Sequence, residues 1–538
     1  MFTSKQALGL VVVGALAAQC SAPPPKPTMS VLVPGQSNKG DIVRRINGLD
    51  FNRFDGKIYA TSTTAEVIYR VDPTTGDVDI AVPAPFGEGD DVAAGPDGAL
   101  AWTAIATGEF RYKKPGGEVQ VLDKTVPGIN PVAFSKDGRL VTAQANEGHA
   151  LYEYDPSGVK PRRTIMQDMP DLNSFAFGAN GLLYAPQRGG KAVEIDIDKG
   201  TLRVISEDNG GAVKVADDGQ LITISKAGDL VRIEPQTGAV TVIAKITGGV
   251  DGLSVGPDGT VYGSSPSESS IFAIDPTTGA RRDIVRGRFS SPAGLAMIEQ
   301  DGAEILLVGD PWGFRNVNPT TGEVTKVPTR SLRAGGSSDI AVGSDAIALS
   351  NVRLGVVQKL ERGTEKVQFE TKEIKTPYGV ALLDDGAIAV ADMDGKRIAR
   401  VDASGVTTLS EGFPGPVGLA RDGATLLVAD ARAGTISRID LQSGQKAEIA
   451  AGLKGPEGLA VMKDGRIAVA ETGAGRLIAI DSKSKAQQVL ADGLPFGAHI
   501  TATADGVGLP AGVTVGKDGA VYVTCDGDFS IRKVTFGK

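Results

Sequence analysis

The chain has 538 residues, enough for two or more domains that each bury a core of their own. It contains 71 Gly, 5% aromatic residues and 41% hydrophobic residues, a profile typical of many short β-strands joined by glycine turns, which excludes a helical bundle and a disordered chain. The formal net charge is −8 without a basic block, which excludes a nucleic-acid partner because phosphate binding needs a concentrated Lys and Arg face.

Residues 1–22 have the pattern of an export signal. Lys5 supplies a positive charge, and the apolar stretch that follows it is too short to span a bilayer. The sequence LAAQC, which ends at Cys20, resembles a bacterial lipobox except at Gln19. Two outcomes stay open: lipidation of Cys20, which would anchor the chain to a membrane, or signal-peptide cleavage near Ala22.

A proline-rich spacer, residues 23–28, follows the export signal and predicts a stiff, extended link. Export indicates a periplasmic protein or one that is lipid-anchored to the bacterial envelope. Apart from Cys20 the chain contains only Cys525, so the mature chain has no internal disulfide available. We expect the protein to be a monomer.

One unit recurs along the rest of the chain. It begins with Gly-Leu, continues through an Asp-Gly turn into an apolar strand, and then has a polar loop, a second strand, a turn and a third strand. The units from Val250 to Ile284 and from Lys454 to Leu490 show it clearly. The turn glycine recurs at positions 56, 98, 138, 181, 219, 259, 302, 386, 423, 465 and 519, with Ala346 at the twelfth equivalent position. Such a period indicates a repeat architecture.

Local chemistry divides each unit into four strands. Pro-Asp-Gly or Lys-Asp-Gly closes a tight hairpin between the first two strands, because Gly accepts a positive φ. A proline turn such as Asp275–Gly279 follows the third strand. Runs such as the one from Gly386 to Ala391 are apolar on both faces, as expected for strands packed between neighbouring sheets. Radially repeated units of four strands predict an all-β propeller architecture.

Twelve units are too many for one propeller of ordinary size, which has about 4–8 blades. We therefore predict two tandem six-bladed β-propellers, spanning residues 29–287 and 288–538, with a division into seven plus five blades as the alternative. The segment 29–34 has the pattern of a lone fourth strand, and the last unit stops after its third strand, 530–536. The N-terminal strand can therefore complete a late sheet and close a ring.

The residues that enter the innermost strands of a propeller converge on its axis, so the position before Gly-Leu is the place to look for a site. The first six units carry short, mostly oxygen-bearing residues there: Asn47, Asp90, Asn130, Asn173, Gly211 and Asp251. The second six units carry a mixed set: Ala293, Ser338, Tyr378, Val417, Glu457 and Ala511. Carboxylate and amide oxygens suit calcium, whereas two His in the whole chain argue against zinc or copper. Asn and Asp also favour loop ends for purely structural reasons, so a turn role stays open.

A family resemblance rests on the motifs around Asn47 (NGLDF) and Asp251 (VDGLS). They resemble the axial motifs of the SMP-30/gluconolactonase/LRE group of six-bladed propellers, and the segment from Gly386 to Asp392 is similar to NHL-type repeats. The resemblance implies a divalent cation, commonly calcium, on the axis of the first propeller, and hydrolysis of lactones or related esters. The implied metal ligands are Asn47, Asp90, Asn130, Asn173 and Asp251.

In such a hydrolase the cation would polarise the lactone carbonyl and activate a bound water, with Asp90 or Asp251 as the general base. Glu88 is a second-rank candidate for this role. The sequence departs from the family pattern, since it has no axial Glu in the first ring and Gly211 leaves one blade without a ligand. The alternative function is a non-catalytic propeller of the cell envelope that binds a small molecule or an envelope partner. Acidic residues that end the second strand in later units, such as Asp392 and Asp430, are interpreted as turn-fixing residues.

Overall fold

The computed structural model describes most of the chain beyond the predicted export signal. The described residues are 26–34, 43–63, 65–145, 148–169, 171–187, 189–246, 250–266, 268–289, 291–310, 313–326, 337–352, 354–364, 366–497 and 509–537. The predicted signal at 1–22, which includes Cys20, and residues 23–25 of the spacer lie outside them. No helix in this described part is long and apolar enough to cross a membrane.

Short antiparallel strands make up nearly all of the regular structure. Strand β1 (Pro27–Val33) comes first, and six four-stranded sheets follow it in chain order. Their strands are β2 (Leu49–Asn52), β3 (Lys57–Ser62), β4 (Val67–Val71), β5 (Val78–Val82); β6 (Val92–Ala94), β7 (Leu100–Ala104), β8 (Glu109–Lys113), β9 (Gln120–Asp123); β10 (Ile129–Phe134), β11 (Leu140–Gln144), β12 (Leu151–Tyr154), β13 (Arg163–Met166); β14 (Ala176–Phe177), β15 (Leu183–Gln187), β16 (Lys191–Asp196), β17 (Thr201–Ser206); β18 (Lys214–Val215), β19 (Leu221–Ile224), β20 (Asp229–Ile233), β21 (Val240–Lys245); β22 (Leu253–Val255), β23 (Val261–Ser265), β24 (Ser270–Ile274) and β25 (Arg281–Arg286).

Six more sheets follow, and a single 3₁₀ turn at Thr472–Ala474 is the one helical element of the described chain. Their strands are β26 (Leu295–Gln300), β27 (Ala303–Asp310), β28 (Gly313–Val317), β29 (Val324–Lys326); β30 (Asp339–Val342), β31 (Ala346–Asn351), β32 (Val356–Glu361), β33 (Val367–Thr371); β34 (Pro377–Leu382), β35 (Ile388–Asp392), β36 (Arg397–Asp402), β37 (Gly405–Glu411); β38 (Pro416–Asp422), β39 (Thr425–Asp430), β40 (Thr435–Asp440), β41 (Lys446–Ala450); β42 (Pro456–Val461), β43 (Ile467–Glu471), β44 (Arg476–Ile480), β45 (Gln487–Ala491); β46 (Val513–Val515), β47 (Val521–Cys525) and β48 (Ser530–Phe536).

The turns form by the chemistry that the sequence predicts. In the hairpin between β6 and β7, Gly98 has a φ of 80°, and the Asp97 carboxylate accepts a hydrogen bond from the Ala99 N–H at 3.1 Å. In the turn after β4, the Asp72 carboxylate accepts hydrogen bonds from the N–H groups of Thr74 and Thr75 at 2.8 and 3.1 Å. Equivalent contacts recur in later units, so each unit closes its own turns locally.

The core lies between neighbouring sheets. The second strand of a unit is buried on both faces, as in β35, where all five residues are buried. Its aliphatic side chains pack against both neighbouring sheets: Val390 belongs to a cluster with Val357 of the preceding sheet, and Ala391 to one with Val428 of the following sheet. Burial on both faces explains why these strands read as continuous apolar runs.

The innermost strands contact one another in two closed circuits. Strands β2, β6, β10, β14, β18 and β22 contact in that order, and β22 contacts β2 again. Strands β26, β30, β34, β38, β42 and β46 form the second circuit, which closes from β46 to β26. The prediction of an all-β propeller architecture is therefore confirmed. Each circuit contains six sheets, the pattern that the six-plus-six division requires.

The N-terminal strand completes the last sheet. Strand β1 pairs with β48 in antiparallel register, with Met29 opposite Val534, so that sheet has the order β1-β48-β47-β46. Val33 is fully buried there in a cluster with Phe289 and Leu295. Strand β1 lies within the range 29–287 that the sequence analysis assigned to the first propeller, yet its pairing places it in the second circuit of sheets.

Candidate functional site

The glycine of the recurring Gly-Leu motif allows adjacent inner strands to approach closely at the axis. A Cβ atom on Gly48 would lie 2.7 Å from the carbonyl oxygen of Asp90, and one on Gly458 would lie 2.0 Å from the carbonyl oxygen of Ala511. The Gly48 N–H instead donates a hydrogen bond to that Asp90 oxygen at 2.7 Å. The motif therefore brings the side chain before each glycine into a narrow ring around the axis.

Three of the predicted axial residues meet in the first ring. The Asn47 amide donates hydrogen bonds to Asp90 Oδ1 at 3.0 Å and to Asp251 Oδ2 at 3.4 Å. The amide oxygen of Asn47 accepts a hydrogen bond from the Thr63 hydroxyl at 3.2 Å, which fixes the orientation of the side chain. Asn47, Asp90 and Asp251, which we call the axial trio, thus link the first, second and sixth sheets.

The two carboxyls of the axial trio lie in an environment that disfavours their charge. Burial, together with the neighbouring Asp251 carboxylate, raises the pKa of Asp90 to about 8, while the Arg45 guanidinium opposes the shift. Burial also raises the pKa of Asp251, against the opposing effects of Arg45 and of the Asn47 hydrogen bond. At neutral pH the pair therefore retains a proton, in the manner of two carboxyls that share one site.

The other predicted axial residues lie apart from the trio. Asn130 is half-buried, and its carbonyl oxygen accepts a hydrogen bond from the Thr103 hydroxyl at 2.6 Å. Asn173 is exposed, and its N–H donates to the Pro186 carbonyl at 3.3 Å. Within the residues that the structure describes, no side-chain hydrogen bond joins either Asn to the trio. The five-ligand set expected from the sequence is thus present as three converging side chains and two separate ones.

The axial trio suits a hard cation by donor type and charge. Two carboxylates and one amide are the ligand types that calcium prefers, although calcium takes about 6–8 oxygens. Asn47 directs its nitrogen at the carboxylates, so the amide must turn before its oxygen can serve as a ligand. The described chain contains no group of three or more His, Cys, Asp or Glu side chains placed to hold a metal ion. Three protein ligands therefore leave most of the coordination sphere to water or substrate.

Glu88 adds a buried acid beside the trio. Its side chain is 5% exposed, and burial raises its pKa to about 7. Its Oε1 atom accepts one long hydrogen bond, at 3.5 Å, from the Ala106 N–H, and its Oε2 atom is buried with no hydrogen-bond partner in the described part of the chain. Glu88 precedes Asp90 by two residues in the chain, and its charge makes a small contribution to the raised pKa of Asp90.

Arg45 is the residue of this site that the sequence analysis missed. Its backbone has a φ of 31°, and its N–H donates a hydrogen bond to the Ser269 hydroxyl at 3.1 Å. From there its guanidinium lowers the pKa values of Asp90 and Asp251. Arg45 lies two residues before the axial position, where the repeat has no recurring residue type, so only the three-dimensional arrangement reveals it.

The second ring uses its one axial acid for structure. Glu457 accepts hydrogen bonds from the Thr472 hydroxyl at 2.9 Å and from the Ala511 N–H at 2.9 Å. Both contacts tie neighbouring loops together, and the side chain is buried. The contrast in residue types between the two rings, visible in the sequence, therefore corresponds to an acidic site in one ring and a structural contact in the other.

Comparison with known proteins supports a propeller of a broad type. A family model described as outer membrane protein assembly factor BamB matches residues 54–284. Two solved structures from B. thetaiotaomicron, described as extracellular domains of a one component system and of a hybrid two component system, are each 12% identical with a TM-score of 0.31. The first alignment covers 91% of this chain and 76% of that chain, and the second covers 94% and 83%. No curated protein matches the sequence.

Proposed function

We propose that the first propeller binds calcium or a similar divalent cation at the axial trio and hydrolyses lactones or related esters there. The observation that carries the proposal is the meeting of two half-buried carboxyls from different sheets across the Asn47 amide. Carboxyls with raised pKa values in a ring of converging strands are typical of functional sites. The resemblance of the motifs around Asn47 and Asp251 to those of metal-dependent lactonases supports the same reaction class.

Each side chain of the proposed site has a separate role in the reaction. Asp90 and Asp251 would hold the cation, with Asn47 once its amide has turned. The bound cation would polarise the substrate carbonyl and lower the pKa of a water molecule. One carboxyl of the pair, freed of its proton when the cation binds, would accept a proton from that water. Glu88 can return a proton to the leaving oxygen, since its pKa near 7 allows both charge states at neutral pH.

Calcium titration of the mature protein after EDTA treatment tests the cation site. We expect saturable binding and a higher melting temperature, because a ligand that binds only the folded state stabilises it. The variant Asn47→Ala should lose at least tenfold in calcium affinity. The matched control is Asn173→Ala, which removes the same side chain from an exposed axial position outside the trio. Equal loss in both variants, or no calcium binding by the wild type, would contradict the proposal.

The hydrolase is tested with a panel of lactones and esters. We expect turnover that requires the cation and falls by about a hundredfold or more in Asp251→Asn, the range that loss of one catalytic group produces. Calcium binding without turnover of any substrate would instead favour the second candidate.

That candidate is a non-catalytic, exported binding protein of the cell envelope. The family match over residues 54–284, to a model described as an outer membrane protein assembly factor, favours it. A pull-down from a bacterial envelope fraction, compared between the wild type and Asp251→Asn, would separate the two, because a scaffold role does not depend on the trio.

A further inference from the structure

A second layer of side chains lies three residues further along each innermost strand. In the first ring this layer is polar on one side: Asp50, Ala93, Ala133, Ala176, Lys214 and Ser254. In the second ring the equivalent layer is almost uniformly small: Ala296, Ala341, Ala381, Ala420, Ala460 and Thr514. Lys214, Ser254 and Asp50 come from consecutive sheets, so the first ring carries one continuous polar arc that the second ring lacks.

The polar arc lines a cavity of about 580 Å³ among the ends of the inner strands. All six sheets of the first ring contribute to its wall, and Phe51 and Phe134 supply apolar surface beside the arc. The axial trio lies where these strands begin, so the cavity occupies the opposite end of the ring. Its volume suits a small organic molecule.

Lys214 is the charged group in this cavity that a ligand can best use. Its side chain is 6% exposed, and its ammonium donates one long hydrogen bond, at 3.3 Å, to the Phe175 carbonyl oxygen. No ion pair of Lys214 is present in the described structure. The Lys214 ammonium opposes the rise that burial causes in the pKa of Asp91, whose two oxygens accept hydrogen bonds from the Val92 and Val132 N–H groups at 3.0 and 3.3 Å. A buried ammonium without an ion-pair partner favours an anionic ligand.

The other charged groups around the cavity are Asp50, Arg53, Asp217 and the exposed Lys136, and the first three have polar partners. Asp50 accepts hydrogen bonds from the Ser254 hydroxyl at 2.7 Å and from the Ala94 N–H at 3.0 Å. Arg53 and Asp217 form a bidentate ion pair with each other, with a shorter distance of 2.7 Å. Asp50 and Ser254 therefore offer hydrogen-bonding positions for a neutral hydroxyl, and Lys214 offers the positive charge.

From this arrangement we propose that the polar arc binds a small hydroxylated carboxylate, with its carboxylate on Lys214 and its hydroxyl between Ser254 and Asp50. The site is separate from the axial trio and stands whether or not the trio binds a cation. The aromatic surface of Phe51 and Phe134 covers the carbon skeleton of the ligand. The second ring, where Ala460 and Thr514 replace Lys214 and Ser254, does not bind such a ligand.

The test is calorimetric titration with malate, in the presence of EDTA so that no divalent cation mediates the contact. Succinate, which lacks the hydroxyl, is titrated in parallel. We expect saturable malate binding that is tighter than succinate binding. Lys214→Met should weaken malate binding by about tenfold or more, the loss typical of a charge-assisted contact. The matched control is Lys226→Met, which removes an exposed Lys from the next hairpin of the same sheet.

A second variant keeps the test decisive if Lys214→Met does not fold. Ser254→Ala should weaken malate binding several-fold and leave succinate binding unchanged, because only malate has a hydroxyl to lose. The proposal is overturned if the wild type binds neither anion in EDTA, or if malate binds equally well to the wild type and to either variant.

Discussion

At the scale of single residues, the axial trio shows how position governs acid strength. Asp90 and Asp72 are both ordinary aspartates in sequence, yet burial raises the pKa of Asp90 to about 8, whereas hydrogen bonds from Lys57 and from the turn lower that of Asp72 to about 2. A carboxyl with a raised pKa in the folded state binds a proton that the unfolded chain releases. It therefore destabilises the fold as the pH rises from about 4 towards 8.

Replacing Asp90 should accordingly change the pH dependence of stability. In EDTA, we expect Asp90→Asn to raise the melting temperature relative to the wild type at pH 8, by about 2–4 °C for each kcal/mol of relieved cost. At pH 4 the folded-state carboxyl is protonated and the unfolded-state carboxyl is only about half ionised, so most of the gain should vanish. Thermal melts across this pH range check the prediction, with Asp301→Asn as the exposed control. A constant difference between wild type and variant at every pH would contradict it.

The same scale shows what the sequence could predict of the site. Alignment of the repeated units alone placed Asn47, Asp90 and Asp251 around one axis, and the structure joins them by hydrogen bonds. Register could not separate them from Asn130 and Asn173, because side-chain direction depends on the loops that pack around each strand entry. The polar arc through Lys214 lies three residues later in the same register and was not predicted, because its cavity depends on the diameter of the ring, which no local pattern encodes.

At the scale of strands, an acidic residue ends the second strand in four units of the second circuit, and in some of them it joins the strand to the loop before the unit. Asp392 accepts a hydrogen bond from the Thr376 N–H at 3.3 Å, and Arg397, directly opposite on the next strand, donates to it at 3.1 Å. Glu471 likewise accepts one hydrogen bond from a backbone N–H of the preceding loop and one from Arg476, the latter at 2.6 Å. These contacts agree with the interpretation of such acids as turn-fixing residues.

Asp430 lacks the second contact of this pattern. Its Oδ1 atom accepts hydrogen bonds from the N–H groups of Gly415 and Ala433 at 3.0 and 2.8 Å. Thr435 stands directly opposite Asp430, at the position that Arg397 and Arg476 hold opposite Asp392 and Glu471. Asp430 Oδ2 is buried without a hydrogen-bond partner in the described chain. The cost of an unsatisfied buried acceptor is about 1–3 kcal/mol, so this position is a weak point of its sheet.

A hydrogen-bond donor placed opposite Asp430 Oδ2 should stabilise the protein. We expect Thr435→Arg to add about 1 kcal/mol of stability, because the guanidinium can satisfy the free oxygen of Asp430. Denaturant unfolding measures the gain. Thr435→Met, which has similar length and no charge, should show none of it. The gain should also disappear when Asp430→Asn is combined with Thr435→Arg, and its persistence in that double variant would refute the explanation.

At the scale of the whole molecule, the sequence predicted the number of four-stranded sheets better than the residue boundaries of the two propellers. The turn glycines and Gly-Leu motifs specify each sheet locally, so the count of twelve sheets followed directly from the repeat. The pairing of β1 with β48 joins segments about 500 residues apart, and only the missing fourth strand of the last unit pointed to it. A domain boundary written as one continuous residue range cannot describe a sheet whose strands come from both ends of the described chain.

The second ring should therefore depend on a strand that lies far from it in sequence. We expect Val33→Asp to destabilise the last sheet strongly, because it buries an unpaired charge among Phe289 and Leu295. Val31→Asp is the matched control, since Val31 lies on the same strand with 47% of its surface exposed. Limited proteolysis should cleave Val33→Asp first within residues 291–537 and leave the control intact. Equal resistance of both variants would show that β1 is dispensable.

The pairing of β1 with β48 also has a consequence for biosynthesis. Strand β1 is translated before every other strand of the described chain, whereas its only partner strand in the sheet, β48, is the last of these strands to be translated. At about 5–20 residues per second, the interval is on the order of 25–100 s. During that time the first ring can assemble from strands already made, whereas the second remains open at its seam. Pairing of β1 with β48 then completes the last sheet and joins both ends of the described chain within it.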